Sequence, residues 1–243
     1  MDIRIDSLLA GARKAEGTVV IIDVYRAFTT AAVAFQQGAA KIILTADVQD
    51  AVMFRRLKSG DLCVGEVDGK KPEEFDYNNS PHALSQIDLR DLVPILSTRA
   101  GTVGVNAARH ADQIFGASLV NAAATAKVIA ERSPSLVTLV AMGWGGLTRT
   151  DEDDVCAIYL KNLLQGHQPD ANAAARFIRS CKESLKFDDS AQPHFHPKDR
   201  AIALKIDSVD FAIEIAQRNR MLVATRVDPP AAHDAHGSTK SID

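Results

Sequence analysis

The chain has little net charge. Its 28 lysines and arginines stand against 31 aspartates and glutamates, giving −3 at pH 7. A protein whose main partner is a nucleic acid carries a basic face, so no nucleic-acid partner is expected. Long hydrophobic runs are missing too. No apolar stretch approaches the roughly 20 residues that a membrane-crossing helix needs, and no membrane contact is expected. Cysteine is scarce: Cys63, Cys156 and Cys181 are odd in number, far apart, and form neither a CxxC pair nor a zinc spacing. That excludes a disulfide framework and points to a reducing cytoplasm. The opening MDIRIDSLLAGARKAEG is charged and has no apolar core followed by a cleavage site, so a secretory signal is not expected. No internal repeat and no dividing linker is visible. What remains, 46% hydrophobic and 24% charged residues in 243, is ordinary for a globular protein. We expect one α/β domain over residues 1–227 and a flexible tail over 228–243, where DPPAAHDAHGSTKSID shows no periodicity.

The most informative stretch is VVIIDVYRAFTT, Val19–Thr30. Four β-branched apolar residues without a polar break suit a strand buried on both faces, the usual state in a parallel sheet under helices. Asp23 follows that run directly, and Arg26 comes three residues later. The C-terminal end of a buried strand is where open α/β sheets place their ligands. Asp23 and Arg26 can equally pair with each other and cap the turn, since ion-pair networks and functional sites share this pattern.

The chain then alternates. Asp2–Leu9 fits a strand or a helix. After the Val19–Ile22 strand, a helix is expected over Thr29–Gln37, a strand over Ala40–Thr45, a helix capped by Asp47 or Asp50, and a strand over Asp61–Val64. This rhythm implies a three-layer α/β/α protein with a parallel or mixed central sheet. The polar stretch Glu66–Pro81 carries five acidic residues and ends in the turn signal Asn78-Asn79-Ser80-Pro81. It is either a functional loop or a solvated excursion. After a strand over Leu92–Leu96, Ser97, Thr98, Arg99, Gly101 and Thr102 precede a helix. Hydroxyls, an arginine and a glycine at a helix start can cradle an anion or serve simply as turn and cap. The spacing is not that of a P-loop.

Further on, Gln113–Gly116 reads as a strand, Ser118 or Asn121 as an N-cap, and Ser135–Ala141 as a strand that delivers Gly143-Trp144-Gly145-Gly146. Asp151-Glu152-Asp153-Asp154 opens an apolar helix. The helix dipole accounts for part of that acidity. Four crowded carboxylates also repel, and a hard cation such as Mg²⁺ would relieve them. Beyond Gly166 the chain reads as more helical, with ANAAARFIRSCKESLKF as one amphipathic helix, an HxH pair at His194 and His196, and a closing strand over Met221–Arg226.

Taken in order, these motifs resemble the 2-phosphosulfolactate phosphatase family. IIDVYRAFTTAAVAFQQGA is similar to that family's strand, DVLRATTT turn and alanine-rich helix. Gly65-Glu66 followed by FDYNNSP resembles its GE and FDLGNSP, LSTRAGT its TTNGT, GASLVNAAATA its asparagine-bearing helix start, and VAMGWGGLTRTDEDDVCAIYL its glycine turn and acidic helix start. The likeness spans Gly17 to Leu163. The chain departs from the pattern at Tyr25 and Phe28, at Val67 where an arginine commonly follows GE, and at Arg99 where the asparagine of TTNGT is lost. One cation is lost and another gained.

The resemblance implies a three-layer α/β fold and Mg²⁺-dependent hydrolysis of a small phosphorylated acid, (R)-2-phospho-3-sulfolactate, on the way to coenzyme M. With the apolar helices it also points to a homodimer. On this basis Asp23, Glu66, Glu152 and Asp153 are the candidate metal-binding and general-base carboxylates, with Asp23, Glu152 and Asp153 as the metal set and Asp23, Arg26, Glu66 and Asp153 as the catalytic set. Arg26 and Arg99 are suited to bidentate anion contacts. Thr98, Gly101, Thr102, Asn79 and Asn121 would supply neutral donors to the substrate. Cys156, close to the acids that raise a thiol's pKa, is assigned to packing.

Overall fold

The computed structural model describes residues 1–230. In chain order the elements are β1 (Asp2–Ser7), α1 (Leu8–Lys14), β2 (Thr18–Ile22), α2 (Ala27–Gln36), β3 (Ile42–Thr45), α3 (Val48–Arg56), β4 (Leu62–Gly65), β5 (Tyr77–Asn78), α4 (Pro81–Leu84), β6 (Pro94–Ser97), α5 (Gly101–Ala107), β7 (Gln113–Ala117), α6 (Ala122–Arg132), β8 (Leu136–Ala141), α7 (Asp151–Leu164), α8 (Ala171–Ser180), α9 (Lys182–Leu185), α10 (Pro197–Ala203), β9 (Ala212–Arg218) and β10 (Met221–Val227).

One mixed sheet contains all ten strands, in the order β1-β8-β2-β7-β9-β10-β3-β6-β4-β5. β1, β8, β2 and β7 form one parallel block, and β3, β6, β4 and β5 another. The hairpin β9–β10 lies between them, antiparallel to a neighbour at each of three successive pairings. The two blocks therefore run in opposite senses along the ladder. Twist alone rotates neighbouring strands without bringing distant ones together, so β2 and β6, five steps apart, can meet only where the sheet also curls. That curl brings the C-terminal ends of β2 and β6 together: the Gly101 N–H, just past β6, donates to Asp23 Oδ2, just past β2, at 2.8 Å.

Alternation along β2 explains the layers. Val19 and Ile21 face a core shared with α1, α2 and α5, whereas Val20 and Ile22 face a second core under α6 and α7. The other block contributes Ile42, Leu44, Leu62, Val64 and Leu96 to the first core and turns Ile43, Cys63 and Ile95 toward Ala51 and Val52 of α3. The curled sheet thus wraps α2, whose residues Ala27–Phe35 are all buried. Such a helix must be small-sided, and AFTTAAVAF supplies alanines and threonines. Gly116 of β7 is part of the same fit. A Cβ there would stand 2.1 Å from Cε1 of Phe28, a fully buried ring on α2. Gly116→Ala is expected to cost about 1–3 kcal/mol through overpacking, read as a lower urea midpoint with an unchanged m-value.

Several expectations need correction. Asp2–Leu9 is both a strand and the start of a helix. The stretch expected as one amphipathic helix breaks at Cys181, whose backbone is extended (ψ 155°), into α8 and α9. β9 lies in the region read as helical. It puts Ala212 and Ile213 into the core and turns Glu214 to the surface, where Arg132 of α6 donates to it at 2.7 and 2.9 Å. The two-residue β5 sits inside the polar loop and extends the sheet past β4. Residues 231–243, most of the tail expected to be flexible, lie outside the described residues. Among the described residues no helix is long and apolar enough to cross a membrane.

Candidate active site

The ends of β2, β4, β6 and β8 meet around a cleft. β2 delivers Asp23, Tyr25 and Arg26, β4 delivers Glu66, Asp68 and Gly69, β6 delivers Arg99 and Ala100, and β8 delivers Gly143, Trp144 and Gly145, with Asn79 and Phe195 completing the wall.

Asp23 is buried and works as a latch. Its Oδ1 accepts the Ala27 N–H at 3.0 Å and its Oδ2 the Gly101 N–H at 2.8 Å, so one carboxylate ties the first turns of α2 and α5 to the end of β2. Burial pushes its pKa up to about 6; the charge of Glu66 adds to the rise, while the two N–H donors and Lys186 oppose it. Asp153 is a second latch behind the first. Its oxygens accept the N–H groups of Val24 and Gly143, both at 2.8 Å, joining the turns that follow β2 and β8. Gly143 must be glycine here: its φ is +63° and a Cβ would meet the Thr148 carbonyl at 2.2 Å. Burial, then the charges of Glu152 and Asp23, hold the Asp153 carboxyl well above the ordinary range.

Arg26 is as buried as Asp23, and its partner is Asp199 of α10. Nη1 donates to Asp199 Oδ2 at 2.7 Å and to the His194 carbonyl at 2.9 Å, and Nη2 reaches the Gly69 carbonyl at 3.4 Å. The ion-pair partner of Arg26 is therefore not Asp23. Asp199 also accepts from Ser80 Oγ at 2.7 Å and from the His82 N–H at 2.9 Å, which locks the FDYNNSP turn to α10. Glu66 organises the opposite wall, accepting the Gly69 N–H at 2.7 Å and the Arg99 N–H at 2.9 Å. The half-exposed Arg99 guanidinium stands 4.0 Å from Asp68. Asn79 is buried, and its Oδ1 has no hydrogen-bond partner.

Of the residues singled out by sequence, Asp23, Arg26, Glu66, Asn79 and Arg99 line the cleft. The others do not. Thr98 and Thr102 bond to each other: the Thr98 N–H donates to Thr102 Oγ1 at 2.9 Å, and that hydroxyl donates to the Thr98 carbonyl at 2.8 Å. Gly101 presents its N–H to Asp23. Asn121 is fully buried, accepting from the Ser118 N–H at 2.8 Å and donating to the Gly116 carbonyl at 3.1 Å. These four hold the turns in shape, the capping alternative left open by sequence. His196 caps α10 through Nδ1, and His194 contributes its carbonyl to Arg26. Cys156 is fully buried in the second core.

Glu152 is buried at the start of α7, with Oε2 unpartnered. Burial pushes its pKa up to about 7, opposed by its own N–H, Thr150 and Lys186. In the unfolded chain the group titrates near 4.5. A raised carboxyl favours folding while both states are protonated, and that contribution is lost as pH climbs from the unfolded value through about 7. The advantage of Glu152→Gln over the parent in urea unfolding is expected to grow by about 2–3 kcal/mol between about pH 5 and pH 8.5. A constant difference across that range would place the cost elsewhere.

Sequence reasoning missed Asp199 and Lys186. Asp199 lies in KDRAIA, where it looks like any acid in a first helical turn. The hint was the proline before it, which marks a fixed helix start. Nothing in the local pattern marks Lys186.

A concave site where strand ends converge, with buried carboxylates beside an arginine fixed by its own counter-ion, belongs to an α/β enzyme acting on a small anionic molecule. The chain belongs to the 2-phosphosulpholactate phosphatase family, whose sequence profile matches residues 5–209. It is 31% identical over 191 residues to a protein of Thermoplasma volcanium, covering 79% of this chain and 85% of that one. It is 28% identical over 211 residues to one of Bacillus subtilis, covering 86% and 91%. A Thermoplasma acidophilum protein is 32% identical over 157 residues, covering 65% and 70%. All three carry the name "Probable 2-phosphosulfolactate phosphatase".

Proposed function

We propose that this protein is a Mg²⁺-dependent phosphate monoester hydrolase acting on 2-phospho-3-sulfolactate or a closely similar small acidic organophosphate. The observation that carries this reading is the pairing of opposites in one cleft. Arg26, held by Asp199, faces the same space as Asp23 and Glu66. A site that merely bound an anion would gain nothing from those carboxylates.

The metal expectation shifts with the geometry. Among the described residues no group of three or more histidine, cysteine, aspartate or glutamate side chains is arranged to hold a metal. Mg²⁺ needs no such cage, since it keeps waters and uses one or two carboxylates with the substrate's phosphate. Asp23 and Glu66 fit that requirement. Both face the cleft, each oxygen takes one N–H and keeps a second lone pair, and the charge of Glu66 raises Asp23 in a way a hard cation would relieve. Glu152 and Asp153 are not among the residues lining the cleft, so the set Asp23, Glu152 and Asp153 gives way to Asp23 and Glu66. When bound, the metal neutralises phosphoryl charge and makes a water more acidic. The chain's own residues do the rest. Arg26 and the Asn79 amide hold phosphoryl oxygens, Arg99 at the mouth meets another acidic group, and Asp23 with Glu66 supplies the negative charge that a hard cation needs. The three buried free cysteines suit a reducing cytoplasm.

Phosphate release from a panel of small monoesters, with Mg²⁺ and with chelator, tests this. Release from 2-phosphosulfolactate that stops on chelation is expected. Release from a different ester would move the substrate, and no release from any ester by the folded protein would remove the hydrolase reading.

A further inference from the structure

Beside the cleft runs a second, more open groove, lined by Lys182, Glu183, Lys186, Asp189 and Gln192. Trp144 and Phe195 border both spaces. Lys186 lies at the start of a short 3₁₀ turn after α9, with a side chain only 10% exposed. Its ammonium is 4.4 Å from the Trp144 ring centroid and 4.6 Å from that of Phe195. A single carboxylate, Glu183, accepts from it at 2.9 Å. An ammonium carries three N–H donors, so two are left facing rings. The groove's other acid is already engaged, since Asp189 accepts from the Ala191 N–H at 2.9 Å and from Gln192 Nε2 at 2.8 Å.

The same Phe195 ring also carries Arg26, whose Cζ is 5.0 Å from the centroid. Two cations that each lie within 5 Å of one centroid are at most about 10 Å apart. Lys186 also lowers the pKa values of Asp23 and Glu152, which puts its charge within reach of the cleft floor.

We propose that Lys186, caged by Trp144 and Phe195, forms a second anion subsite beside the cleft, sharing those two rings with it, and that it receives one of the two acidic groups that 2-phospho-3-sulfolactate carries besides its phosphate, Arg99 meeting the other. This rests on the phosphatase reading for its reaction, but the subsite can be probed without turnover. Lys186 would then select phosphate esters of acids over esters of simple alcohols.

Two measurements on Lys186→Met and Lys186→Arg test it. In the first, 3-sulfolactate and inorganic phosphate are titrated into each protein by calorimetry. The methionine variant is expected to bind sulfolactate at least about 10-fold more weakly while phosphate affinity falls much less, and the arginine variant to recover most of the loss. In the second, KM is compared for 2-phosphosulfolactate and for isopropyl phosphate, and the penalty in Lys186→Met is expected to be at least about 10-fold larger for the diacid. Equal weakening of both ligands, or equal KM penalties, would mean that Lys186 acts only through packing or the general field, and would overturn the subsite. A parent protein that binds sulfolactate through Lys186 but releases phosphate from neither ester, nor from any other ester of the panel, would keep the subsite and remove the phosphatase reading. A parent protein that binds neither ligand would remove the subsite.

Discussion

Asp23→Asn is expected to lower phosphate release by about 10³-fold and to cost about 1–3 kcal/mol of stability, the two losses having different origins. The stability loss follows from the latch. Both oxygens of Asp23 accept backbone N–H groups, one from the start of α2 and one from the start of α5. An amide keeps one acceptor and turns an NH₂ group toward the other N–H, so a buried donor is left facing a donor. The activity loss follows from charge. With Glu66, Asp23 is a cleft carboxylate suited to a hard cation, and the amide removes its charge. Phosphate release measured well below the urea midpoint of the variant separates the two effects. A variant that loses stability but hydrolyses at the parent rate would leave Asp23 as a latch alone and transfer the chemistry to Glu66.

That dual role explains what the sequence made legible and what it hid. VVIID was readable because a buried strand leaves a strong local signature and the residue after it must sit at the sheet's C-terminal edge. Glu66, Asn79 and Arg99 were readable because they also lie just beyond strands, or in the polar turn that packs against one. What one sequence cannot reveal is which polar residue faces the ligand and which faces its own backbone. Thr98, Thr102 and Asn121 have the chemistry of anion donors, yet their side chains are engaged with the turns that carry them. The order of the sheet was also hidden. β9 was masked because IEIAQR contains good helix formers, and its strand character comes from long-range pairing with β7 and β10. Without β9–β10 between the two parallel blocks, nothing predicts that the sheet curls or that the ends of β2 and β6 meet. Asp199 and Lys186 come from helical segments far along the chain, and beyond the proline ahead of Asp199 no local pattern ties either to the strand ends.

Asp199→Ala is expected to destabilise the protein by about 3–5 kcal/mol, more than any other single change argued here, because it strands a buried guanidinium. Arg26 and Asp199 have side chains 1% and 0% exposed, and their 2.7 Å contact is the only ion pair Arg26 makes among the described residues. The loss should exceed the net worth of the pair, since most of it is the cost of an uncompensated charge. Removing that charge as well should therefore restore stability: Arg26→Met combined with Asp199→Ala is expected to be more stable than Asp199→Ala alone, by about 1–3 kcal/mol. The restoration should be incomplete, because Asp199 also accepts from Ser80 and the His82 N–H. Activity should not return. Arg26 is the buried cation of the cleft, and the double variant keeps only the neutral Asn79 amide there to hold phosphoryl oxygens. A double-mutant cycle in urea, paired with phosphate-release rates, thus separates the two functions of the pair. Recovery of stability without activity would identify Asp199 as a positioning residue acting through Arg26. Recovery of both would show that the phosphoryl group is held elsewhere, with Arg99 the remaining arginine in the cleft wall.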